Sequence, residues 1–172
     1  GVIGTEDRTP LAFWVAIAPE QYLQLDDAVV TDRELPGETA TVRLAGVVTQ
    51  VRARQEGARF DSDVLLIADG VLPAETVEAA EVSTTRVEPE TFVPPAPGAP
   101  VRRAVGDERD HALMFDAMER RLPIGLGRVG ETLYANVDFL DGTRGAHVSI
   151  SGAAGVETKT TYASVHRDSR VH

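Results

Sequence analysis

Through residue 93 the apolar positions recur every second residue or in short unbroken runs, the rhythm of strands rather than helices. "LAFWVAIA" (11–18) is apolar and aromatic and follows Thr9-Pro10, a turn that opens a strand. "QLDDAVVTD" (24–32) and "ATVRLAGVVTQVRA" (40–53) are two further strands, separated by the turn pair Pro36-Gly37. The second alternates at Val42, Leu44, Gly46 and Val48, and a glycine on that face predicts a bulge or bend. "QEGARFDSDVLLIADG" (55–70) reads as a polar connection and a short apolar run. "ETVEAAEVSTTRVEP" (75–89) alternates Val77 and Ala79, then Val82 and Val87, among Glu, Ser and Thr, as a half-exposed strand does. About five such strands, punctuated by Gly and Pro, predict a small β-barrel over residues 1–93.

The pattern then changes. Pro94, Pro95, Pro97, Gly98 and Pro100 predict a stiff, extended linker over 94–106 that stays out of a sheet. "GDERDHALMFDAMERRLP" (106–123) predicts the clearest helix, with Asp107 as N-cap and acids in the first turn. Leu113, Met114, Ala117 and Met118 form its apolar stripe, Arg120 and Arg121 lie near its C-terminus, and Pro123 is the stop. A glycine turn, a strand around Leu133 to Val137, Asp141-Gly142 and a strand "AHVSI" (146–150) follow, so 107–163 reads as the start of a second domain. The last nine residues, "SVHRDSRVH" (164–172), carry two valines and no apolar stripe, which predicts a disordered tail.

Composition narrows the classes. No apolar run approaches the ~18 residues of a membrane span, and no signal peptide is visible, so a soluble chain with the cytosol as default compartment is expected. The absence of cysteine removes disulfides, Cys-ligated zinc and thiol catalysis. A net charge of −10 argues against gripping nucleic acid with the whole surface, because such binding needs cations that displace counterions from phosphates. Sixteen of the seventeen cationic residues are Arg, and the sole Lys is Lys159. Either chance placed it there or the site wants a compact ammonium rather than a flat guanidinium.

Lys159 sits in "AHVSISGAAGVETKTTYA" (146–163), an apolar strand running into glycines and Thr-Lys-Thr. A phosphate loop needs an entry strand, glycines that let backbone N–H groups turn inward, a Lys, a hydroxyl for magnesium and a following helix N-terminus. Gly152, Gly155, Lys159 and Thr160 supply those chemistries. The usual G-x-x-x-x-G-K-[ST] pattern is not met strictly: Thr158 stands where Gly precedes Lys, and Ala153 where the first Gly belongs. Glu157 adds a carboxylate that would have to point away from any phosphate. From the residues alone, a nucleotide loop and a plain strand–turn–helix junction both stand.

The run "NVDFLDGTRGAHVSISGAAGVETKTTYA" (136–163) resembles bacterial ATP-binding proteins of the HerA type, relatives of the FtsK-like hexameric DNA motors. That group joins an N-terminal β-barrel assembly domain to a RecA-like α/β P-loop ATPase core, and one branch carries the variant loop found here. The resemblance implies that Gly152, Gly155, Val156, Glu157, Thr158, Lys159, Thr160 and Thr161 form the ATP site. Lys159 would contact the β- and γ-phosphates, Thr160 would bind Mg2+ and Thr161 would touch the α-phosphate. It implies a hexamer, double-stranded DNA as the track, and a nuclease as a frequent companion. The family's acidic magnesium strand, polar sensor, arginine finger and DNA-gripping loops have no counterpart here, so a truncated or frame-shifted chain without ATP hydrolysis is the expectation. The alternative is a β-barrel that mediates assembly or docks a partner, its nucleotide loop vestigial.

Other residues carry blander readings. His166, Asp168 and His172 match no zinc spacing, and Asp61 and Asp63 lack the glycine and distal glutamate of a calcium loop. Asp26-Asp27, Glu78 and Glu81 read as solvated strand faces and Trp14 as core, while Arg102-Arg103 and Arg120-Arg121 could contact a neighbouring subunit or DNA, with helix-end electrostatics the simpler account of the second pair.

Overall fold

The computed structural model describes residues 1–4, 8–37, 39–56, 68–70 and 75–141, with backbone only at 54–56 and 75–76. The chain falls into two compact units, Gly1–Asp116 and Ala117–His172.

The first unit is built on one antiparallel sheet of six strands: β1 (Val2–Ile3), β2 (Ala12–Ile17), β3 (Ala28–Glu34), β4 (Thr41–Glu56), β5 (Glu75–Glu88) and β6 (Arg102–Arg103). Their order is β1-β2-β5-β4-β3-β6, and the sheet curls into a half-barrel. The mainly β reading therefore holds, while no α/β ATPase core is present among the described residues.

Alternation explains the curl's inner lining. On β2 Phe13, Val15 and Ile17 are buried, whereas Ala12, Trp14 and Ala16 between them are only half-buried. They pack with Ile3, Val29, Val48, Ala80, Val82 and Val101 into one core cluster. At roughly 1.5–3 kcal/mol for each fully buried large aliphatic or aromatic side chain, this cluster is the main stabilising term of the unit. Trp14, expected in the core, faces the other way, and the guanidinium of Arg52 lies 3.7 Å from its ring centroid. Strand β3 is an unbroken buried run from Ala28 to Thr31 because both its faces are covered. Val29 joins the inner core, while Ala28 and Val30 join Ala45, Ala104 and Ala112 in a second cluster.

Gly46 sits at a break in register between β4 and β5, as its place in the alternation predicts. Thr84 opposes Gly46 and Arg86 opposes Ala45, so Thr85 is the extra residue of a β-bulge. The bulge also resolves a phase problem: Val82 and Val87 are five apart, yet both are buried. One inserted residue lets them share a face. Val77 and Ala79, expected on the same inward face, are exposed and half-buried, and Ala80 takes the inward place.

The proline segment expected as a linker is part of the first unit's pairing. Gly98 and Ala99 exchange backbone hydrogen bonds with Ile3, Val101 N–H donates to Gly1, and β6 pairs with β3. One segment therefore bonds both edges of the curl. Prolines cost little here: Pro100 meets Val2 in a single isolated bridge, and Thr31 Oγ1 donates to the Pro100 carbonyl at 2.9 Å.

The predicted helix is much shorter than its sequence pattern. Helix α1 spans Asp107–Ala112, with Gly106 rather than Asp107 at the N-cap position. It ends because Met114 takes a left-handed conformation (φ 61°), Phe115 N–H donates to Asp110 O at 2.7 Å and Met114 N–H to His111 O at 3.2 Å. These two bonds make a Schellman stop, and they turn Phe115 into the protein, where it is buried. Met114 is left exposed, so the apolar stripe drawn through it is not a buried helix face.

The described part of the second unit is a hairpin, β7 (Arg121–Leu126) with β8 (Thr132–Asn136), followed by the short helix α2 (Val137–Leu140). Pro123, expected as a helix stop, lies within β7 next to a register break at Gly125. Gly127 N–H donates to Glu131 O at 2.7 Å and Gly130 has φ 86°, closing the hairpin. The expected strand near Leu133 is β8, and Asn136 then caps α2 by accepting from Asp138 N–H at 3.0 Å.

Candidate functional site

The residues that carry the predicted nucleotide chemistry, Gly152, Gly155, Val156, Glu157, Thr158, Lys159, Thr160 and Thr161, lie outside the described residues. So do the expected strand 146–150, His147, His166, Asp168, His172, Asp61 and Asp63. The site that can be built from geometry is the charged surface around α1.

Two networks flank that helix. In the first, Arg43 on β4 donates Nε to Asp32 Oδ1 on β3 at 2.9 Å, and Arg102 on β6 donates Nη1 to Asp32 Oδ2 at 3.3 Å. Arg102 also pairs with Glu108 of α1, and Arg43 Nη1 lies 3.7 Å from the same carboxylate. Burial disfavours the charge on Asp32, yet the hydrogen bonds and fields of Arg43 and Arg102 outweigh it and hold the carboxyl below its ordinary value. The hydrogen bond to Asp32 in turn raises Arg43 above its ordinary value.

In the second network Arg86 on β5 donates Nη1 to both oxygens of Asp116, at 2.7 and 2.8 Å, and Nη2 to Glu88 at 2.9 Å. His111 of α1 lies between the same two carboxylates, with Nδ1 3.2 Å from Asp116 Oδ2. Its Nε2 is 3.4 Å from Glu88 Oε2 without hydrogen-bond alignment. Burial raises Asp116, but the bonds from His111 and Arg86 outweigh it and set its carboxyl below the ordinary range. Despite its burial, Arg86 is raised by its hydrogen bonds to Glu88 and Asp116.

This arrangement joins elements. Each network ties α1 or its exit to strands that are distant in sequence, and guanidinium groups saturated by carboxylates have little charge left for an anion. Arg86 and Glu88 were missed in the sequence, although their spacing of two on an alternating strand places them on one face. Arg102 and Arg103, which the sequence offered as candidates to contact a neighbour or DNA, make hydrogen bonds within the unit. Arg103 donates Nε to Asp27 and Nη2 to the Tyr22 carbonyl, both at 2.9 Å, and stacks 4.3 Å over the Tyr22 ring. Asp27, expected as a solvated strand face, instead accepts from Arg103 and from Gln24 N–H in the β2–β3 connection. Arg103 and Tyr22 line a cleft of about 350 Å³ with Ile17, Leu23 and Val101.

In the second unit Arg120 serves α2 rather than a longer helix: it pairs with Asp138 and Asp141 at the helix's two ends, and these bonds raise it above its ordinary value. Among the described residues no group of three His, Asp or Glu side chains is placed to hold a metal ion, and no helix is long and apolar enough to cross a membrane. No protein-family model matches the chain, and a search among curated proteins finds no match.

Proposed function

We propose that the chain is the N-terminal part of an ATP-dependent motor on double-stranded DNA, resembling the HerA group. It would bind Mg-ATP through residues 152–161 and assemble through its β-rich first unit. The observation that carries this reading is the run 146–163, in which the chain's sole Lys follows the apolar segment "AHVSI" and two glycines and precedes Thr160. Backbone N–H groups there would hold phosphate oxygens, Lys159 would place a point charge on them, and the Thr160 hydroxyl would ligate magnesium. The half-barrel of the first unit supports the reading, since an N-terminal β-barrel precedes the ATPase core in the group it resembles.

Titration calorimetry of the 172-residue chain with Mg-ATP tests it. Binding that disappears in Lys159→Ala, and loses its magnesium dependence in Thr160→Ala, is the expected result. Absence of binding in the wild-type chain, or binding indifferent to Lys159→Ala, overturns it.

Thr158 and Ala153, where the usual loop has glycine, favour a second reading: an assembly or docking module with a vestigial loop. Oligomers that form equally with and without Mg-ATP, measured by sedimentation on a chain that binds no nucleotide, would select it.

A further inference from the structure

We draw no further inference here: the strongest candidate, the outer edge of β4 beyond Val48, where β3 has ended and no strand partner occurs among the described residues, carries nothing because nothing in the structure shows what covers it.

Discussion

The hydroxyl of Thr85 donates to the carbonyl of Ala112 at 2.6 Å, joining the bulge of β5 to the last residue of α1. The same oxygen lies 3.2 Å from the carbonyl of Ala45 on the neighbouring strand. The residue that slips out of register is thus the one that anchors the helix, and a carbonyl at the helix end gains a partner without a further helical turn. Thr85→Val keeps the shape and removes the donor. It should lower the unfolding free energy by about 1–2 kcal/mol, the cost of stranding a partly buried carbonyl, while Thr85→Ser should retain most of it. Urea titrations of the three proteins check this, and equal midpoints for wild type and Thr85→Val would contradict it.

Met114 holds a left-handed position that a side chain beyond glycine occupies at a cost of roughly 1–2 kcal/mol. Its side chain is exposed, so little packing is lost on truncation. Glycine removes the backbone strain, although its freer unfolded chain gives part of the gain back. Met114→Gly should therefore raise stability by about 0.5–1 kcal/mol. A fall in the denaturation midpoint would show that Met114 contributes packing that its exposure hides.

Gly46 is required by space rather than by dihedral angle. A Cβ built there would stand 2.5 Å from the Ser83 carbonyl oxygen and 2.6 Å from Val82 Cγ1. The first obstacle is backbone and cannot swing aside. Gly46→Ala should destabilise by about 1–3 kcal/mol through overpacking at the bulge. Gly37, at a turn with no atom near its would-be Cβ, serves as the contrast. There Ala meets only the positive-φ penalty of about 1 kcal/mol. Thermal unfolding of Gly46→Ala with an unchanged midpoint would remove the close contact from the account.

What could be read from the sequence follows a physical division. The inward face of the first half of β4 was legible because Val42, Leu44 and Gly46 obey a period that only local geometry sets, whereas β2 is apolar on both faces, so its sequence did not separate Phe13, Val15 and Ile17 from Trp14. The phase of β5 was not legible either, because the extra residue at Thr85 depends on its pairing with β4. The helix was legible at its acidic start but not at its end. Leu113, Met114, Ala117 and Met118 satisfy helical spacing, and the tertiary burial of Phe115 overrides it. The proline segment looked like a connector because proline cannot sit in a central ladder, yet here Pro97 lies in a turn and Pro100 meets an edge strand in a single bridge. The charged networks were invisible as pairs, since Arg86 and Asp116 are thirty residues apart. The nucleotide reading depends on the local order of residues 152–161 and lies outside the described structure.

Asp116 and Asp32 make the first unit sensitive to acid. Both carboxyls are held below their ordinary values in the folded chain, where cationic partners outweigh burial. A group with a depressed folded value contributes stability above its unfolded value, near 4 for Asp, and loses that contribution as pH falls through the folded value. The contribution should be full at neutral pH and vanish progressively below about pH 4. Both side chains are partly exposed, so salt should weaken it throughout. Asp116→Asn removes the charge while keeping an acceptor for Arg86. The stability gap between wild type and Asp116→Asn, followed by urea unfolding at low ionic strength, should narrow as pH is lowered from neutrality toward 3. Adding salt at neutral pH should narrow it as well. A gap that stays constant across that range would mean that the bidentate contact with Arg86 acts through geometry alone, and that its charge contributes nothing to holding the exit of α1 against β5.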